Sequence, residues 1–107
     1  RFMYDCVEVF VGTADSDGAS NGIVAIGAIK IHKVVLEGDG SNVLTVQLHN
    51  QTSITGTAEI SLAANEVFAT EFKRYNEADF DPPVRFGVGL SVNITGNAGT
   101  YRIYYSR

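Results

Sequence analysis

The 107 residues contain no tryptophan, a single cysteine, two prolines and no cluster of basic side chains. Each scarcity excludes something. Cys6 has no second cysteine to pair with inside the chain, whereas small secreted domains commonly rely on several disulfides. The expectation is therefore folding under reducing conditions. On the alternation of Phe2, Tyr4 and Cys6 the thiol reads as a small buried hydrophobe, with no neighbouring His or basic pair to activate it. With so little proline and only 19% charged residues, general disorder is ruled out. The net charge is −4 and the eight basic residues are scattered, so nucleic acid and anionic membrane surfaces are not expected partners. No apolar run approaches the ~20 residues of a membrane-spanning helix. No signal-peptide pattern is visible, although the chain begins at Arg1 rather than Met.

What is present points to strands. Val, Ile and Thr together number 28 and Gly numbers 11, a mix of stiff β-branched residues and permissive turn residues. The length and the 45% hydrophobic content fit one domain, residues 1–107, with one core. Residues 2–11 read as a first strand and residues 12–22 as a polar, glycine-punctuated loop. Residues 23–38 give one or two strands with a bend or bulge at Gly27, and their alternation slips phase at Lys33. After a turn cluster at residues 38–42, Leu44, Val46 and Leu48 face one way while Thr45, Gln47 and His49 face the other.

Residues 57–79 carry two periodicities. Ile60, Ala64, Val67, Phe68, Phe72 and Tyr75 fit a helical stripe, whereas Ala58, Ile60 and Leu62 alternate as a strand and Phe68, Thr70 and Phe72 share a face. Consistency with the rest of the chain favours two strands. Residues 75–84 then form an acidic loop stiffened by Pro82 and Pro83. It leads to a terminal hairpin in which Phe86, Val88, Leu90, Val92 and Ile94 line one face and Tyr101, Ile103 and Tyr105 continue it. The fold class expected is all-β: a single antiparallel β-sandwich, jelly-roll-like, of about eight strands.

No constellation carries chemistry. Asp15 and Asp17 before Gly18 begin like a calcium loop, but Val24 occupies the position that needs glutamate, and residues 37–40 fail likewise. His32 and His49 each fall on the polar side of a strand, without acidic or cysteine ligands at metal spacing. Ser91 follows Gly89 at the right spacing, but Asn93 stands where the nucleophile elbow needs its second glycine, and the flanking triad order is missing. Asn50 and Asn93 open glycosylation sequons that read as ordinary surface asparagines. The expectation is no enzyme, no cofactor and no metal. Of the three C-terminal tyrosines only Tyr104 points outward, and the alternative reading of a carbohydrate- or receptor-binding module rests on it.

Residues 28–106 resemble the small β-sandwich structural proteins of tailed bacteriophages. The likeness is carried by "IKIHKVVLEGDGSNVLTVQLHN", "AEISLAANEVFATEF" and an ending in which Gly89, Leu90, Val92, Ile94, Thr95, Gly96, Ala98, Tyr104 and Tyr105 fall in place. The acidic insertion at residues 75–84 departs from that pattern. The resemblance marks no catalytic residues. It implies a virion role such as capsid decoration (cement), with the major capsid protein or another virion protein as partner and synthesis in the host cytoplasm. Homo-oligomers are expected too. A strand-forming N-terminus can add to a neighbour's sheet edge, and a stiff loop loses little entropy on docking. Partner-binding residues are accordingly expected in residues 1–11 and 75–84, namely Phe2, Tyr4, an exposed Phe80 and Asp81, together with Tyr104.

Overall fold

The computed structural model describes residues 7–14, 22–40, 43–52, 57–68, 70–95 and 99–107. Ten strands follow one another: β1 (Glu8–Ala14), β2 (Gly22–Ile26), β3 (Ile29–Gly38), β4 (Leu44–His49), β5 (Ile60–Ala64), β6 (Glu66–Phe68), β7 (Glu71–Lys73), β8 (Tyr75–Phe86), β9 (Gly89–Thr95) and β10 (Gly99–Ser106). All pairings are antiparallel. One sheet has the order β1-β10-β3-β8, the other β2-β9-β4-β5, and β6-β7 forms a separate ribbon. Eight strands in two such sheets, crossing repeatedly between them, make a jelly roll. The expected fold class is therefore observed, and residues 57–79 form strands rather than a helix.

The sheet changes follow from local chemistry. At Gly27 the chain leaves the second sheet for the first with φ = 95°, a conformation that disfavours any residue with a Cβ. The phase slip expected at Lys33 is a β-bulge against β10, because the adjacent Tyr104 and Tyr105 pair with Lys33 and Ile31 and leave His32 as the extra residue. Ile29 and Ile31 are buried before the bulge, and Val34 and Leu36 after it. The extra residue, His32, thus keeps both halves of β3 on the core. From the other sheet Leu44, Val46, Leu48, Ile60, Leu90, Val92 and Ile94 complete a single apolar cluster. Fully burying side chains of this size contributes about 1.5–3 kcal/mol each before chain entropy is subtracted.

The β6-β7 ribbon hangs from the sandwich by backbone bonds. The Asn65 N–H donates to the Lys73 carbonyl and the Gly38 N–H to the Arg74 carbonyl, both at 2.6 Å. Asn65 Oδ1 also accepts from the Gly40 N–H at 3.0 Å. Asn65 adopts φ = 61°, which asparagine tolerates better than most residues. Its side chain lies so close over Gly38 that a Cβ there would collide with the amide.

Three expectations are corrected. There is no terminal hairpin: β9 pairs with β2 and β4, while β10 pairs with β1 and β3 in the opposite sheet. Alternation reports which side chains face the core, and a crossover between facing sheets alternates just as a hairpin does. Residues 75–84 are no loop but most of β8, an edge strand of the first sheet. Pro82 and Pro83 fit there because they fall in the stretch between Asp79 and Val84 where pairing with β3 lapses. His49 is not on a polar surface but buried, with Ser91 opposite it in the ladder.

The correction to the hairpin is directly testable. Val88 and Leu90 share an apolar stripe in sequence, yet Val88 is 49% exposed in the β8–β9 turn and Leu90 is fully buried. Leu90→Ala is expected to cost about 2–5 kcal/mol of stability and Val88→Ala less than about 0.5 kcal/mol, measured by urea unfolding.

Candidate interaction surface

Among the described residues no group of three or more His, Cys, Asp or Glu side chains is placed to hold a metal. His32 Nε2 and Ser106 Oγ lie 2.7 Å apart, a contact between sequence-distant residues that strand spacing alone did not reveal. Ser106 is buried, so its hydroxyl is closed to a substrate and the pair fastens β10 to β3. Both ring nitrogens of His49 are buried and find no hydrogen-bond partner among the described residues. The chain following β4 folds back beside it, where Ser91 donates to the Gln51 carbonyl at 2.8 Å. Asn50, the first sequon asparagine, accepts from the Val88 N–H at 2.9 Å and the Gly89 N–H at 3.4 Å, bracing the β8–β9 turn. Asn93, the second, donates to Gln47 Oε1.

The informative features are the sheet edges. β8 lies beside β5 on one side of the sandwich, where Asn76 donates to the Ala63 carbonyl at 2.9 Å. β1 and β2 are the outer strands on the other side. Among the described residues β1 pairs with β10 alone, and no strand lies on its second backbone edge. On the same strand Phe10 turns inward, its ring 6.0 Å from that of Tyr101, while Val9 and Val11 stand 47% and 61% exposed and Val7, just before the strand, 47%. Tyr104, half-buried, is opposite Val9. β2 adds exposed Ile23 and Ile26. Edge strands normally carry charge, proline or a cover that prevents pairing with another chain. The described part of β1 has Glu8 alone of these.

β8 is the opposite kind of edge. Glu77, Asp79 and Asp81 are exposed along it, and Pro82 and Pro83 interrupt its donors. Lys33 Nζ lies 3.0 Å from Glu77 Oε2 and 3.8 Å from Asp79 Oδ1, and the Tyr75 hydroxyl donates to Glu77 Oε2 at 3.1 Å. The Lys33 hydrogen bond, then that of Tyr75, holds the Glu77 carboxyl below the usual range, and the same Glu77 bond raises Lys33. Burial, then the hydrogen bond to Glu77, pushes Tyr75 up. At the far edge burial and the Glu8 charge push the Tyr105 hydroxyl up as well.

Of the expected partner-binding residues, Phe2 and Tyr4 lie outside the described residues, as do Cys6 and the Asp15–Asp17 pair. Asp81 is exposed. Phe80 is not the exposed centre of a loop, because it packs partly buried against the core together with Val84. Tyr104 faces outward, but Tyr101 and Tyr105 are buried, so the three tyrosines form no aromatic platform.

No family model and no curated protein matches the chain. The fold is similar to a solved structure of Bacillus endospore appendages, described as a novel family of disulfide-linked pili. The TM-score is 0.50 at 18% identity, over 95% of this chain and 82% of that one. At this identity the likeness shows a shared β-rich fold alone.

The Lys33–Glu77 pair sets a pH dependence. A carboxylate with a lowered folded pKa stabilises the fold above its ordinary value and loses that effect as pH falls through the folded value. A raised lysine stabilises below its ordinary value and loses the effect as pH rises through the folded value. Glu77→Gln is therefore expected to melt below the parent at pH 7, with the gap closing on acidification to about pH 3. Thermal melts followed by circular dichroism at the two pH values check this.

Proposed function

We propose that this chain is a non-catalytic structural subunit that assembles with further copies of itself through the open β1 edge. One observation carries the reading. An edge strand that is uncovered among the described residues, with Val9 and Val11 exposed on it and Val7 exposed just before it, sits beside exposed Ile23 and Ile26 of β2. An incoming strand would satisfy the free backbone groups while covering the valines. The acidic, proline-broken β8 edge is unsuited to the same ladder, which limits the ways copies can join.

The likeness to an endospore appendage that forms pili supports a filament-type assembly. Decoration of a virion capsid belongs to the same class of role, with a capsid protein as partner in place of a second copy. The burial of Tyr101 and Tyr105 weighs against a carbohydrate module built on aromatic stacking. Unlike pili described as disulfide-linked, the 107 residues here hold one cysteine. One thiol per copy joins copies in pairs at most, so longer assemblies of these residues rest on non-covalent contacts.

Sedimentation velocity and light scattering of the parent are expected to show species larger than a monomer, unchanged by reductant. The double variant Val9→Lys with Val11→Lys is expected to keep the parent's circular dichroism and remain monomeric. A parent that stays monomeric, or a folded variant that assembles as the parent does, contradicts the proposal.

A further inference from the structure

Apart from Val88 in the β8–β9 turn, the large hydrophobic side chains exposed among the described residues fall into two groups. One lies on β2 and on and just before β1. The other surrounds the β6-β7 ribbon: Val67 and Phe72 stand on it, 63% and 50% exposed, and exposed Val43 and Tyr75 sit at its base. Val67 and Phe72 are direct cross-strand partners, so they share one face of the ribbon. The neighbouring pair, Glu66 and Lys73, stands on the other face.

The described part of the molecule does not cover that apolar face. Leu62 of β5 and Phe80 of β8, on the flanking strands, pack against the core, but Val67 and Phe72 do not join them. A two-stranded ribbon is marginally stable alone in water, and this one has three residue pairs. It is nevertheless held in place at its base, where the Lys73 and Arg74 carbonyls accept from the Asn65 and Gly38 N–H groups. A fixed arm that presents an uncovered aromatic ring and a valine loses little entropy when it docks. Topology sets the two apolar groups on opposite sides of the sandwich. The ribbon connects β5 to β8, the outer strands of one side, and β1 and β2 are the outer strands of the other. A patch that meets its own copy closes a two-fold pair, whereas two unlike patches that fit each other repeat from copy to copy. The β8 edge beside the ribbon is acidic and broken by Pro82 and Pro83, so the ribbon is the part of that side suited to enter a neighbour's ladder.

We propose that the β6-β7 ribbon of one copy docks on the β1 edge of the next, with Val67 and Phe72 covering Val9 and Val11. The contact is head to tail, so it extends from copy to copy instead of closing at a pair. This inference rests on the reading of β1 as the assembly edge and adds which surface of the second copy fills it.

The test is complementation between two variants, followed by sedimentation velocity. Val67→Lys with Phe72→Glu removes the apolar face of the ribbon and places an attractive pair across its ladder, which keeps the ribbon formed. Val9→Lys with Val11→Lys removes the receiving edge. Each variant alone is expected to keep the parent's circular dichroism and stay monomeric. An equimolar mixture is expected to give dimers of one variant with the other and nothing longer, because it restores a single contact between one intact ribbon and one intact edge. Phe72→Thr, which retains a strand-forming residue, is expected to weaken the parent's association by about tenfold or more. A folded ribbon variant that assembles as the parent does, or a mixture that stays monomeric, overturns this inference and leaves the β1 reading standing. Should the ribbon variant lose the parent's circular dichroism, unchanged association of Phe72→Thr overturns it in the same way. A monomeric parent overturns both.

Discussion

Each of the two sheets has an apolar face that only the other can cover, and the chain's path is the solution to that requirement. β1, β3, β8 and β10 supply one wall of the core and β2, β4, β5 and β9 the other. Among consecutive strands of the sandwich, only β4 and β5 remain in one sheet. The bulge at His32 belongs to the same solution. Without one extra residue the parity of β3 would reverse, bringing Lys33 to the core and turning Val34 and Leu36 outward. Burying an unpaired ammonium costs several kcal/mol, so the register of the whole first sheet depends on that single insertion.

Once the faces are covered, what distinguishes one part of the surface from another is how each edge ends. The β8 edge is acidic and proline-broken, with Glu77 and Asp79 held by Lys33 and Phe80 turned to the core. Among the described residues the β1 edge is open and lined by valines. A sandwich with one protected and one unprotected edge offers other chains a single edge for strand addition.

Much of this was legible in the residues. Gly27 announced a bend, the phase slip at Lys33 announced the bulge, and Leu44, Val46 and Leu48 announced a core strand, because each reflects geometry within a few residues. Strand partners were not legible. The run from Phe86 to Tyr105 alternates as a hairpin does, yet its halves lie in opposite sheets, since periodicity records which face is buried and not which neighbour shares it. Polarity misled at residues 75–84, where acids and prolines that suit an edge strand were read as a loop. His49 misled for a different reason: its burial comes from the chain folding back after β4, which no local pattern encodes. Of the expected site, Phe2 and Tyr4 lie outside the described residues, and Phe80, read as the exposed centre of a loop, packs against the core from β8.

Amide hydrogen exchange followed as a function of protein concentration tests the edge asymmetry most directly. If copies join through β1, slowing with concentration will concentrate in the amides of residues 8–14, while those on the outer edge of β8 exchange at a constant rate. Exchange at β1 that is independent of concentration, or protection that grows equally at β8, would contradict the account.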